Sequence, residues 1–135
     1  MPNSTETKMT LGKSATASAV VTEHNTARTV GSGSLEVFAT PMMIALIEQA
    51  ACKALSDTLD DGQTSVGTAI SVAHTAASPL NAEIAATATI TSVNGRVIDF
   101  EVYAHDDAGE IGHGTHTRVI VDRERFMAKA QARNS

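Results

Sequence analysis

From Thr40 onward the chain turns apolar at helical spacing. Thr suits an N-cap, and Pro41 suits the first helical position because its missing N–H costs nothing there. The apolar run ends at Asp60-Asp61-Gly62, a stop signal, so a helix is predicted from Thr40 to Leu59, about 30 Å long. Met42, Met43, Ile44, Leu46 and Ile47 point in nearly every direction around its first turns, so burial on most sides is expected. Something must wrap around it.

The period then changes from helical to alternating, and four strands are predicted between Gln63 and Asp122. In the first, Val66, Ile70, Val72 and His74 share one face, and Gly67, Ala69, Ser71 and Ala73 share the other. Ser78-Pro79-Leu80-Asn81 breaks it, and Glu83 to Val93 resumes with Ile84, Ala86, Ala88 and Ile90 alternating. Asn94-Gly95 is a hairpin signal. Its partner carries Ile98, Phe100 and Val102, Asp106-Asp107-Ala108-Gly109 turns the chain, and Ile111 to Val121 returns as the last strand. A short surface helix is expected over Asp122 to Ala132. Ahead of the long helix, Ala15 to Thr22 reads as a short strand and Glu23 to Ser34 as a polar, Gly/Ser-rich loop. Residues 1–14 are expected to be a tail or edge segment, and 15–132 a single domain. A long helix followed by an antiparallel meander is an α+β layout in which a curved sheet wraps the helix.

Composition narrows the function. The 135 residues carry 15 acidic and 10 basic groups, a net charge of −5, which argues against binding the phosphate backbone of nucleic acids. One cysteine, Cys52, excludes an internal disulfide and any multi-cysteine metal site and fits a reducing compartment. No apolar run reaches the ~20 residues of a membrane span, and Met1 to Gly12 lacks the apolar stretch of a signal peptide. A cytoplasmic protein without membrane or nucleic-acid partners is expected.

Three residues carry candidate chemistry. Glu48 lies among Met43, Ile44, Leu46, Ile47, Ala50 and Ala51. A desolvated carboxylate there is a general base or nucleophile, whereas a wet stripe shared with Gln49 or Lys53 makes it a surface group. His74 lies on the apolar face of its strand, where an imidazole serves either as half of an acid–base pair or as a core histidine bonded to a backbone carbonyl. Thr40 reads first as a helix cap, at the electropositive end of a buried helix where a carbonyl oxygen or phosphate is also held. His113 and His116, three apart on a strand, face opposite sides, so no metal site is expected. P-loop, G-x-G-x-x-G and G-x-S-x-G patterns are absent. Five basic residues after position 117 (Arg118, Arg123, Arg125, Lys129, Arg133), against Asp122 and Glu124, leave that end positive, either as a grip for an anion or as a solvated helix face.

The runs Glu36-Val37-Phe38-Ala39-Thr40, Val72-Ala73-His74-Thr75-Ala76-Ala77-Ser78-Pro79 and Gly112-His113-Gly114-Thr115-His116-Thr117-Arg118, with the helix bearing Glu48, resemble the fluoroacetyl-CoA thioesterase-like family of hotdog-fold proteins over residues 16–127. The resemblance implies a long helix wrapped by an antiparallel sheet. It further implies a homodimer whose sheets join edge to edge, with active sites at the subunit interface. It implies that Thr40, Glu48 and His74 carry hydrolysis: Glu48 as nucleophile or as the base that activates water, His74 handling protons, Thr40 bonding the Glu or the acyl group. Gly67 matches a glycine beside the thioester, and Arg118 matches a late-strand arginine with a supporting or CoA-facing role. Aromatic lid residues of the family give way here to Gly31-Ser32-Gly33-Ser34, which supplies neither apolar surface nor rigidity. The expected activity is therefore hydrolysis of other short- or medium-chain, or small substituted, acyl-CoA thioesters. No cofactor is expected, CoA being part of the substrate. The reading from another class is a non-catalytic module that binds acyl-CoA or a small ligand.

Overall fold

The computed structural model describes residues 10–134. Five strands, β1 (Ser14–Val20), β2 (Gln63–His74), β3 (Glu83–Asn94), β4 (Val97–Asp106) and β5 (Gly109–Asp122), form one antiparallel sheet in the order β1-β3-β4-β5-β2. Three helices accompany it: a single turn α1 (Ala27–Val30), the long α2 (Thr40–Leu55) and the terminal α3 (Arg123–Arg133). The sheet curls around α2, the α+β layout expected from the sequence, but only β3, β4 and β5 form a meander: β2 pairs with β5 rather than with β3.

Helix α2 buries Met43, Leu46, Ile47, Ala50, Ala51, Ala54 and Leu55. Those positions recur three and four apart and form one stripe. Each large apolar side chain in it contributes about 1.5–3 kcal/mol on burial. The stripe packs with Ile84, Ala86, Ala88 and Ile90 of β3 and Ile98, Phe100 and Val102 of β4. Burial on most sides is not observed: Gln49, Cys52 and Lys53 are exposed, and Met42, Ile44, Ala45 and Glu48 are half-buried. The helix also ends four residues before the expected Leu59, because the Thr58 hydroxyl donates to the Leu55 carbonyl (2.8 Å) and the Ser56 hydroxyl to that of Lys53 (3.0 Å). These bonds satisfy carbonyls that a further turn would have used.

Several other expectations are corrected. The supposed loop from Glu23 to Ser34 contains α1, whose N-cap Thr26 is buried and accepts from the Thr29 N–H, and which closes at Gly31 with φ 89°. The β3–β4 loop is Gly95-Arg96 rather than Asn94-Gly95, since Asn94 still pairs with Val97. Gly95, at the first central position, has φ 64°, as a two-residue turn of this kind requires. Of the predicted tail, residues 1–9 lie outside the described residues; Gly12 donates to the Ile90 carbonyl and Ile90 to that of Lys13, both at 2.8 Å, so residues 12–13 extend the sheet edge.

The correction that matters most for the site is in β2. Between Gly67 and Ala69 the register against β5 slips by one residue, at Thr68. A bulge reverses the phase of a strand. Gly67 pairs with Arg118, Ile70 with His116 and His74 with Gly112, so Gly67 joins Ile70, Val72 and His74 on the inner face and Val66 falls on the outer one. Strict alternation had placed Gly67 and His74 on opposite faces.

Candidate active site

Helix α2 and strand β2 run in opposite directions, so the start of the helix lies against the end of the strand and its middle against the bulge. Two polar clusters result. In the first, Thr40 Oγ1 and His74 Nδ1 share a hydrogen bond of 2.7 Å. Thr40 is not the helix cap: Ala39 holds that position without a side-chain bond, Thr40 is the first helical residue, and its hydroxyl is committed to His74 instead. The other ring nitrogen of His74, Nε2, is buried without a hydrogen-bond partner among the described residues. Burial lowers the His74 pKa below the ordinary 6.5, the Ala76 backbone opposing it, so the ring is neutral at pH 7. Beside this pair lies a cavity of about 250 Å³ lined by Ala27, Ser32, Val37, Phe38, Ala76 and Ala77 as well as Thr40 and His74. Ser32, from the Gly/Ser segment, forms part of its wall.

The second cluster gathers around Glu48. Its side chain is 41% exposed, as the wet-stripe reading has it rather than the desolvated one, and Arg118 Nη1 donates to its Oε2 at 2.9 Å. Arg118 is itself buried: Nε donates to the Ser65 hydroxyl (2.9 Å) and Nη2 to the Ser65 carbonyl (3.0 Å). The guanidinium therefore points inward to Glu48, not outward to the surface. That removes one of the five basic groups counted at this end, and Arg125 and Arg96 both approach Asp122, at 3.7 and 3.8 Å. His116, buried to 2% exposure, completes the group, with Nε2 at 3.3 Å from Arg118 Nη1 and 3.9 Å from Glu48 Oε2. Burial lowers its pKa also; the Ala69 carbonyl opposes, Arg118 reinforces and Glu48 opposes. A cavity of about 280 Å³ opens here, lined by Glu48, Gly67, Thr68, Ala69, Ile70 and His116.

Gly67 is where the strand passes closest to the carboxylate. A Cβ there would collide with Glu48 Oε2 and stand 3.2 Å from both Arg118 Nη1 and His116 Cε1. Glycine lets β2 pass this close to the cluster without displacing the carboxylate.

The structure thus joins Thr40 to His74, and Glu48 to Gly67 and Arg118, but keeps the two groups apart. Eight residues of helix separate Thr40 from Glu48 by about 12 Å along the axis. The histidine beside Glu48 within one chain is His116, a residue the sequence analysis considered only as a metal ligand. Its alternation with Arg118 on β5 was the available signal. Among the described residues no group of three His, Cys, Asp or Glu is placed to hold a metal ion, and no helix is long and apolar enough to cross a membrane.

Comparison with known proteins adds four findings. The family model for fluoroacetyl-CoA-specific thioesterases matches residues 21–124. The fluoroacetyl-CoA thioesterase of Streptantibioticus cattleyicolor is 46% identical over 96 residues, which are 71% of this chain and 69% of that protein. A solved structure of a fluoroacetyl-CoA thioesterase superposes with a TM-score of 0.89 at 39% identity, covering 94% of this chain and 98% of the other. A hot-dog-like protein from Thermanaerovibrio acidaminovorans gives 0.84 at 25% identity, over 93% of each chain.

Proposed function

Because the chain belongs to the fluoroacetyl-CoA-specific thioesterase family, a family of hotdog thioester hydrolases, we propose that it hydrolyses short- or medium-chain, or small substituted, acyl-CoA thioesters at a site that combines Glu48 of one subunit with Thr40 and His74 of another. The observation that carries this reading is the separation of the two clusters within one chain. Neither alone holds both a carboxylate able to deliver attack and a free imidazole.

Glu48 acts on the acyl carbonyl carbon. Either its carboxylate adds there, expelling the CoA thiolate and leaving an acyl anhydride that water hydrolyses, or it takes a proton from a water that adds instead. Arg118 anchors one carboxylate oxygen and leaves the other for this work, a supporting role. The Gly67 backbone N–H, beside the bulge, polarises the carbonyl oxygen. His74, neutral at pH 7 and held by Thr40, donates a ring N–H hydrogen bond to the leaving sulfur, which takes up the proton that water releases in hydrolysis. The cavity beside Thr40, walled by alanines, Ser32, Val37 and Phe38, receives the acyl group. CoA arrives as part of the substrate, and no cofactor takes part.

A homodimer supplies the second half of the site. β2 lies at the end of the sheet and contains no Asp, Glu, Lys, Arg or Pro, the devices that keep edges unpaired. At the opposite edge, β1 is guarded by Lys53, whose ammonium donates to the Thr16 carbonyl at 3.0 Å. β2 is therefore the edge that pairs with its copy. The protein works in the cytoplasm, where its acyl-CoA substrates and a lone reduced Cys52 belong.

The test is thiol release from a panel of acyl-CoAs, from acetyl and fluoroacetyl to aromatic and long-chain, with wild type beside Glu48→Gln. Turnover of short- or medium-chain esters, abolished by the substitution, supports the reading. Saturable binding without turnover, unchanged in Glu48→Gln, replaces it with a binding module, and a strong preference for fluoroacetyl-CoA over acetyl-CoA overturns the proposed acyl range. Single turnover in ¹⁸O-labelled water separates the two routes, since only the anhydride route places label from water in the enzyme's carboxylate or protein oxygen in the product.

A further inference from the structure

Resting on the reading of Glu48 as the group that delivers attack, we propose that His116 is a positioning residue for hydrolysis, acting through Arg118 to fix the Glu48 carboxylate. The argument starts at Ala69. Its backbone carbonyl lies 2.8 Å from His116 Nδ1 and accepts only, so Nδ1 carries the proton. The bulge at Thr68 is adjacent to this carbonyl. Burial among β2, β4 and β5 keeps the ring neutral, and a neutral imidazole protonated at Nδ1 has a bare Nε2. That lone pair faces Arg118 Nη1 at 3.3 Å.

Nη1 carries two protons, and both are assigned: one goes to His116 Nε2 and the other to Glu48 Oε2 at 2.9 Å. Nε and Nη2 are held by Ser65. The guanidinium plane is thus fixed from β2 on one side and by His116 on the other, and the carboxylate inherits its orientation. Phe100 of β4 stacks on the imidazole, with ring centroids 6.0 Å apart, and holds it in this plane. The charged groups facing His116 are Glu48 from α2 and Arg118 from β5; β2 offers the Ala69 carbonyl and β4 the Phe100 ring. Nε2 and Glu48 Oε2 are 3.9 Å apart, beyond hydrogen-bond distance, so Arg118 mediates between them.

Three measurements test this together. His116→Leu, which keeps the volume but removes both ring contacts, is expected to lower kcat on the order of 10–100-fold with KM within about twofold, as misplacement of a reacting group does. His116→Gln, whose amide oxygen still accepts from Arg118, recovers at least a third of that loss on a logarithmic scale. In the wild type, imidazole ¹⁵N shifts show a protonated Nδ1 and a bare Nε2, a readout independent of whether either variant folds. The proposal is overturned if folded His116→Leu keeps kcat within twofold or if Nε2 carries the proton. Full activity in Glu48→Gln defeats instead the reading on which the proposal rests, and His116→Leu alone then shows whether the histidine matters by another route.

Discussion

The hydroxyl of Thr40 lies 2.7 Å from Nδ1 of His74, whose Nε2 is buried without a hydrogen-bond partner among the described residues. Position, not capping, explains the threonine. Thr40→Val, which keeps the shape and removes the hydroxyl, therefore leaves the ring unanchored. We expect a loss of about 1 kcal/mol in stability, and a fall in kcat on the order of 100-fold, the usual worth of a placed proton-transfer group. Thr40→Ser retains the bond and is expected to stay within about tenfold of wild type. Urea melts and thiol-release kinetics on the three proteins check this; equal activity in Thr40→Val and wild type assigns the bond to structure alone.

A second expectation concerns Gly67, whose place against Glu48 leaves no room for a methyl group. The obstacle is the far end of a flexible carboxylate, which moves aside at little cost, so Gly67→Ala is expected to fold with stability changed by about 1 kcal/mol or less. The carboxylate that moves is the reacting one. Activity is expected to fall on the order of 100-fold, the cost of about 1 Å of misplacement. A crystal structure of the variant shows the displaced Glu48, and unchanged kcat with Glu48 in place removes Gly67 from the site.

How much of this was legible in the sequence depends on the range of the interaction. The α2 stripe and the presence of the strands followed from periodicities of 3.6 and 2, which are local and survive any context, but the order did not: the expected four-strand meander puts β2 beside β3, and it pairs with β5 instead. Side-chain competition for backbone carbonyls decided the early end of α2 at Ser56 and Thr58, and both residues looked like ordinary polar positions before the stop signal. The face of Gly67 was not legible at all. It depends on a bulge at Thr68, which is a mismatch between β2 and β5 and has no mark in β2 alone. For the same reason His116 was overlooked: its neighbours Glu48 and Arg118 come from α2 and from two residues on along β5, and only folding shows that Ala69 fixes its proton. Thr40, Glu48 and His74 were singled out by residue type and resemblance, but their partition into two clusters is a fact of helix length.

The half-buried His74 and the buried His116 both report on pH. Burial is the leading cause that holds His74 and His116 below the ordinary 6.5. In the unfolded chain these rings take up protons as the pH falls through about 6.5; in the folded protein they do not until lower pH. Between those values the unfolded state binds more protons, so stability rises with pH. The contribution is therefore complete above about pH 6.5 and is lost as the pH falls below it. The urea midpoint is expected to be higher at about pH 7.5 than at about pH 5.5 at constant ionic strength, and the difference is expected to shrink in His116→Gln. A midpoint that is flat across this interval shows that neither ring resists protonation.

The separation of about 12 Å between Thr40 and Glu48 along α2 makes a sharper demand on the assembly. Suppose each working site takes Glu48 from one subunit and Thr40 with His74 from the other. A Glu48→Gln homodimer and a His74→Ala homodimer then both lack every complete site. Subunit exchange between them yields heterodimers in which one site has lost both groups and the other has lost neither. With equal amounts and free exchange, about half the dimers are mixed and half of their sites are intact, so about a quarter of wild-type activity is expected to return. A site built within one chain gives no recovery, because each subunit of the mixture still carries one defect. Placing a lysine at Ser71, exposed on the edge strand β2, is expected to block the recovery, because charged side chains keep strand edges unpaired. The two results together locate the interface as well as the site: recovery on mixing with no effect of Ser71→Lys places the shared site at an interface other than the β2 edge.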